Sequence, residues 1–173
     1  MTARARIYLA GPLGFSEAGR HFHSRVLVPF VRGLGYQVLD PWRLVDAREA
    51  AAVERMPRGE RRYRRWRRLS RRMAATNRDA IDRADGMVAV LDGPDVDSGT
   101  AAEIGYAFGR GKVIVGYRGD FRLSADNEGS DVNLQVEFFI RQSGGTIVKR
   151  HRELRAALRG CLAGRARGGG GRA

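Results

Sequence analysis

Five short apolar runs punctuate the chain, and between them apolar residues recur every three or four positions. The first run, RIYLAG from Arg6 to Gly11, reads as a buried strand ending in the turn Gly11-Pro12-Leu13-Gly14. Behind it Ser16 is an N-cap with Glu17 in the first turn, and Phe22, Val26, Phe30 and Leu34 recur at i+4. That pattern predicts a helix kinked at Pro29 and stopped by Gly35. Gln37 to Asp40 follows as a second strand closed by Pro41, and MVAVL, Met87 to Leu91, as a third, preceded by a helix ending near Ala84. This third run is continuously apolar, as a parallel strand covered on both faces must be. A helix over 100–110, a fourth strand over 112–117 (KVIVGY), a helix over 133–142, a fifth strand over 145–148 and a closing helix over 153–162 complete the series.

Alternation of this kind predicts an α/β fold, a parallel sheet with helices on both faces. Right-handed crossovers favour a flavodoxin-like or Rossmann-like, doubly wound, five-stranded sheet of order 2-1-3-4-5. Residues 1–163 are expected to form one domain, with a disordered glycine and arginine tail over 164–173.

Composition adds partners to consider. The 173 residues suffice for a continuous core, and the net charge of +13 is almost wholly arginine, with Lys112 and Lys149 the only lysines. Such an excess fits nucleic acid, phosphate or acidic membrane, but genome composition produces the same bias, so charge alone names no partner. The segment Arg55 to Arg72 holds ten arginines with Tyr63, Trp66 and Leu69 interleaved. It reads as a solvated helical insertion whose Trp66, Leu69 and Met73 touch the body, or as a weak, salt-sensitive, sequence-blind contact for nucleic acid. The lone Cys161 excludes an internal disulfide framework and fits a reducing cytoplasm. The apolar run ending at Gly11 is too short for a signal segment or a membrane span, so no membrane partner is expected.

Ligands of open α/β sheets bind beyond the carboxyl ends of the strands. The loop after the first strand lacks the G-x-G-x-x-G spacing, and no Walker sequence occurs. The loop after the third strand is richer in chemistry: Asp97 or Ser98 can cap the next helix, placing Glu103 near its first turn, where amides and the helix dipole favour the ionised form. An oriented carboxylate there is suited to attack a sugar carbon, whereas the structural alternative is a capping acid without chemistry. Gly99, Ala101, Ala102 and Gly105 leave room for a ligand. His21 and His23 point to different helix faces and His151 is isolated, so no metal is expected. Phe15 and Phe22 are candidates to stack on a base or to join the core.

Three motifs carry a resemblance: Ile7-Tyr8-Leu9-Ala10-Gly11-Pro12, Asn77 to Asp85 (NRDAIDRAD), and Asp97-Ser98-Gly99-Thr100-Ala101-Ala102-Glu103-Ile104-Gly105-Tyr106-Ala107. Over residues 6–148, with gaps, the chain resembles the nucleoside 2-deoxyribosyltransferase family. The resemblance implies that Glu103 forms a covalent deoxyribosyl intermediate at C1′, that Tyr8 positions this carboxylate and that Asp97 holds a sugar hydroxyl. It implies that Asn133 reaches in from a neighbouring subunit, hence a homo-oligomer, a dimer or higher, with no cofactor. Gly11, Phe15, Ser98 and Gly99 complete the expected substrate-binding set. One departure concerns Asn77, where family members often carry an aspartate that manages the proton on the leaving base. Asparagine can hydrogen-bond a base but cannot act as a general acid, and Asp79 is the alternative acid. The expected activity is 2-deoxyribosyl transfer from a nucleoside to a free nucleobase, as in nucleoside salvage. The alternatives are an N-glycosidase acting on nucleosides or their 5′-monophosphates, and a nucleic-acid binding module built on the arginine segment. Glycosidases of this superfamily that act on monophosphates tend to carry serine where this chain has Asp97, which implies a free 5′-hydroxyl here.

Overall fold

In the computed structural model, which describes residues 4–122 and 125–168, one parallel sheet has the order β2-β1-β3-β4-β5. The elements in chain order are β1 (Arg6–Ala10), α1 (Glu17–Phe22), α2 (Val28–Gly33), β2 (Gln37–Leu39), α3 (Pro41–Leu44), α4 (Ala47–Glu54) and α5 (Glu60–Arg83). They continue with β3 (Gly86–Val90), α6 (Ser98–Gly109), β4 (Val113–Tyr117), α7 (Leu134–Gln142), β5 (Ile147–Val148) and α8 (Leu154–Gly168). This is the flavodoxin-like arrangement that the alternating pattern predicts.

Side chains alternate across a strand, so β1 feeds two cores. Tyr8 and Ala10 join Met87, Ala89 and Ile114 on one face, under Ala80 and Ile81 of α5, Ile104 of α6 and Ile140 of α7. Ile7 and Leu9 join Val88, Val90 and Val115 on the other, under Leu27, Val31, Leu154 and Leu158. Every residue of β3 and β4 is buried because helices cover both faces. Tyr8 therefore points toward α5 and α6, a placement that its parity in β1 dictates.

The helix after β1 departs from the expected stripe. Ser16 caps α1 by accepting from the Gly19 amide at 3.0 Å, but a π-helical turn over His23–Leu27 separates α1 from α2. The Val28 amide bonds back to the His23 carbonyl, widening the turn just ahead of Pro29, whose ring has no amide to donate. The extra residue brings His23, Leu27, Val28 and Val31 inward, and Phe22, Phe30 and Leu34 only flank that core.

Two helices follow β2 where only a stop at Pro41 is readable. Proline at the first helical position begins a helix rather than ending one. Asp40 caps α3 through the Trp42 amide at 3.1 Å, and Asp46 caps α4 through the Arg48 amide at 2.9 Å. From Glu60 onward the arginine segment is helical and forms the first half of α5, a 24-residue helix about 36 Å long, with Arg55 and Arg58 lying ahead of it. Val53 of α4 and Leu69 of α5, both buried, line the seam between the two helices, and Arg72 pairs with Glu49 across it. Met73, expected to touch the body, is 39% exposed. Helix α8 runs to Gly168, so the first residues of the supposed tail are helical, as Arg165, Ala166 and Arg167 favour; the remainder of that expectation lies outside the described residues. No helix among the described residues is long and apolar enough to cross a membrane.

Candidate active site

Glu103 sits in α6 beyond the carboxyl end of β3, with the α6 N-terminus closed by Asp97 rather than Ser98. Asp97 Oδ2 accepts from the Thr100 amide at 2.9 Å and from the Thr100 hydroxyl at 3.0 Å. That arrangement leaves Glu103 free of capping duty, contrary to the reading that helix amides hold it. Its donors come from other elements: the Tyr8 hydroxyl donates to Glu103 Oε1 at 2.7 Å, and Asn77 Nδ2 donates to the same oxygen at 3.3 Å. One oxygen is thus fixed, while Oε2 has no hydrogen bond among the described residues.

Burial raises the Glu103 carboxyl above the ordinary carboxylate range; the bonds from Tyr8 and Asn77 pull it back, and the charge of Asp97 raises it further. The Tyr8 phenol, fully buried, is pushed far up by burial first and then by the charge and hydrogen bond of Glu103. Tyr8 is consequently a permanent donor. The outcome is a partly desolvated carboxylate with one oxygen clamped, a state of higher basicity than a solvated one.

Asn77 is held in place by a lock between α5 and α6 that sequence reasoning missed. Tyr106 of α6 and Arg110, the residue that caps its carboxyl end, donate to the Asp82 carboxylate at 3.0 and 2.7 Å, and Lys112 Nζ donates to the Asp82 and Ala84 carbonyls at 2.8 Å each. The loop between β3 and α6 is pinned by Arg118, which is only 1% exposed. Arg118 donates to the carbonyls of Leu91 at 2.5 Å, Gly93 at 3.4 Å and Arg122 at 2.7 Å.

The other residues that the sequence singles out are spread around this centre. Asp79, two residues beyond Asn77, points elsewhere on the helix and pairs with Arg78 at 2.7 Å, so the alternative acid is not brought to Glu103. Gly11 takes φ +153°, and a Cβ there would meet Val90 Cβ at 2.8 Å, which is why the turn after β1 requires glycine. Ser98 and Gly99 are exposed at the start of α6. Asn133 caps α7, its Oδ1 accepting from the Gln135 amide at 3.0 Å and the Val136 amide at 3.4 Å, with no hydrogen bond to Glu103. Phe22 faces the opposite side of the sheet from Glu103, stacked on Tyr117 at 6.1 Å, and it packs against the α8 core rather than near a base site.

Phe15 lies 73% exposed with its ring edge-on to Trp42 at 4.9 Å. Trp42 escaped sequence reasoning, although an aromatic directly after the Asp40-Pro41 strand end is the available signal. Gly14 packs so closely under the Trp42 ring that a Cβ would lie 2.2 Å from it. Asp40, also missed, is buried: its Oδ1 lies 3.0 Å from His23 Nε2, and its Oδ2 has no hydrogen-bond partner. Among the described residues no group of three or more His, Cys, Asp or Glu is placed to hold a metal.

A doubly wound sheet with a clamped carboxylate beyond its carboxyl edge places the chain in the class of open α/β proteins, whose ligands generally bind at the strand ends. The model of the nucleoside 2-deoxyribosyltransferase family matches residues 7–135, and the chain belongs to that family. An uncharacterized protein of Schizosaccharomyces pombe is 32% identical over 121 residues, 68% of this chain and 51% of that protein, so the chain spans about half the length of the curated relative it matches. A conserved protein from Enterococcus faecalis V583 superposes with a TM-score of 0.69 at 25% identity, covering 91% of this chain and 99% of that one. A 2-deoxyribosyltransferase from Leishmania mexicana shares the fold, with a TM-score of 0.59 and 23% identity over 92% of this chain and 97% of that one.

Proposed function

We propose that the chain transfers a 2-deoxyribosyl group between nucleobases by double displacement, with Glu103 as the nucleophile. The observation that carries this reading is the 2.7 Å bond from Tyr8 to Glu103 Oε1, which leaves Oε2 free to react. Oε2 attacks C1′ as the C1′–N bond breaks, and the electron pair leaves on the base nitrogen, which takes a proton from solvent. A ring nitrogen of the incoming base then attacks C1′, its proton passes to solvent, and the carboxylate is restored. Two inversions give net retention. Asn77 hydrogen-bonds the base, Phe15 and Trp42 flank it, and no cofactor takes part.

Incubation with a 2′-deoxynucleoside, with and without a second free base, tests the reading. A new nucleoside that forms only when the second base is present is the expected result. Hydrolysis alone makes the protein an N-glycosidase, and no turnover of either kind removes the enzyme reading.

The acid limb of the kcat/KM profile is expected above the ordinary carboxylate range, because Glu103 must be ionised and burial raises it. Asp97→Asn removes a like charge and moves the limb down; Tyr8→Phe removes a donor and moves it up. Shifts in the opposite directions would show that another group governs the limb.

Asp97 Oδ2 is engaged by Thr100, while Oδ1 stays open to accept from a 5′-hydroxyl. A phosphate dianion placed there meets a second negative charge in a partly desolvated site. Deoxycytidine is therefore expected to outperform its 5′-monophosphate on the order of tenfold in kcat/KM. Asp97→Ser shifts the ratio toward the monophosphate. Preference of the unmodified protein for the monophosphate would refute the assignment of Asp97.

Asn133 belongs, in this reading, to the site of a neighbouring subunit. Support comes from the surface beside it: Leu134 is 53% and Phe138 50% exposed, and Phe138 joins Phe108 and Phe139 in an aromatic cluster between α6 and α7. Apolar rings left half in water are suited to burial against a second copy.

A further inference from the structure

We propose that the seam between α4 and the first half of α5 is a docking surface for single-stranded nucleic acid. The feature is a cleft of about 1040 Å³ lined by Met56 and Pro57, by the Glu60–Arg64 ion pair, and by Arg58, Arg61, Arg65 and Arg68. These four side chains are exposed, and none has a carboxylate within ion-pair distance among the described residues. Their neighbours are already engaged: Arg64 pairs with Glu60 at 2.6 Å, Arg72 with Glu49, and Arg62 donates to the Met56 carbonyl at 3.1 Å. Arg67 and Arg71, likewise without a carboxylate partner among the described residues, flank the line of these four and widen the cationic face.

Residues 61, 65 and 68 share one helix face and climb the axis in steps of about 6 and 4.5 Å, a spacing comparable to successive phosphates of a nucleic-acid chain. Guanidinium groups suit that task because each offers several donors in a planar fork. Beside the line, Tyr63 is 57% exposed with the Arg67 guanidinium 5.7 Å above its ring, a platform on which a base can stack.

The geometry favours a single strand over a duplex. An α-helix alone fills a major groove about 12 Å wide, and α4, packed along α5, makes the pair too broad to enter. A single strand can lie along the cleft with its phosphates on the arginine line. A lipid surface fits less well, because an interfacial helix needs a broad apolar face. Among large apolar side chains this half of α5 exposes only Tyr63 and, at its far end, Met73. Asn77 is nine residues beyond Arg68, the nearest arginine of the surface, about 13.5 Å along the axis of the same helix, so the surface is distinct from the Glu103 site.

Fluorescence anisotropy of a labelled 20-nucleotide single strand, titrated with the full chain between about 50 and 200 mM salt, tests the proposal. Four phosphate contacts predict a slope of log K against log salt near −3, from about −0.7 per contact on single strands. Replacing Arg58, Arg61, Arg65 and Arg68 together by glutamine is expected to weaken binding at least about tenfold and to flatten the slope, with nucleoside turnover unchanged. The pair Arg61→Gln and Arg65→Gln serves if the fourfold variant does not fold, and about half the slope is then lost. A control variant removes equal charge from the opposite side of the sheet, with Arg32, Arg152, Arg155 and Arg159 changed to glutamine; it is expected to bind nearly as wild type. Absence of binding at the lower salt overturns the proposal. So does an equal loss in the control, or tighter binding of a matching duplex or of phosphatidylserine vesicles.

Discussion

Glu103→Gln is expected to fold as the wild type does and to lose at least about 1000-fold of kcat/KM for deoxyribosyl transfer, because an amide oxygen is a poor nucleophile toward C1′. Glutamine keeps an oxygen that accepts from Tyr8 and Asn77, so the local geometry survives. Stability should move the other way from activity. Burial raises the folded-state pKa of Glu103, so protonated Glu103 favours the native state below the unfolded value, and this contribution is lost as pH rises through the folded one. At neutral pH the native protein therefore holds a carboxylate it would be more stable without, and the neutral glutamine relieves that cost. Thermal melts of the two proteins at pH 4 and pH 7 check this: the variant should equal or exceed the wild type at pH 7, with a smaller advantage at pH 4. Near-normal turnover in the variant would remove Glu103 from the mechanism; a variant markedly less stable at pH 7 would make it a structural acid.

Asn133→Ala is expected to abolish most activity, and mixing it with Glu103→Gln to restore part of it. If each site takes Glu103 from one subunit and Asn133 from the next, random exchange of equal amounts leaves about a quarter of sites with both residues intact. Activity of the mixture should then approach about a quarter of wild type, far above either variant alone. A mixture no better than its components, or a fully active monomer by sedimentation, defeats the shared site. The cap that Asn133 makes on α7 supplies a control, since Asn133→Asp keeps the cap and removes the amide donor. That variant should melt like the wild type yet remain impaired.

The legible parts of this molecule are those governed by periodicity. β3 and β4 are apolar at nearly every position because both faces are covered, and the parity of Tyr8 in β1 already assigns it to one face. Capping is readable as a choice, Asp97 or Ser98, but only backbone placement decides which oxygen reaches the Thr100 amide. Three features escape because their cause is not local. The π-helical turn at His23–Leu27 shifts the buried face of a helix whose i+4 stripe points elsewhere. Pro41 reads as a stop, although the Asp40 carboxylate makes it the first residue of α3. The approach of Asn77 to Glu103 joins residues 26 apart on different helices, which no spacing rule foresees, and resemblance alone singles out Asn77.

The bond from Tyr8 to Glu103 spans 95 residues, and β1 pairs with β3 across a similar interval. This gives the protein a timetable. As the chain leaves the ribosome, β1 can find β2 early, but its other edge has no partner until Gly86–Val90 emerges. At roughly 5–20 residues per second that wait lasts on the order of several seconds. Throughout it an apolar strand edge lies open to any chaperone or neighbouring nascent chain. The cationic first half of α5 is made within the same interval, so the exposed edge is followed out of the exit tunnel by a strongly charged segment that keeps like chains apart. The bond from Tyr8 to Glu103 can form only once α6 has followed, long after the phenol on which it closes.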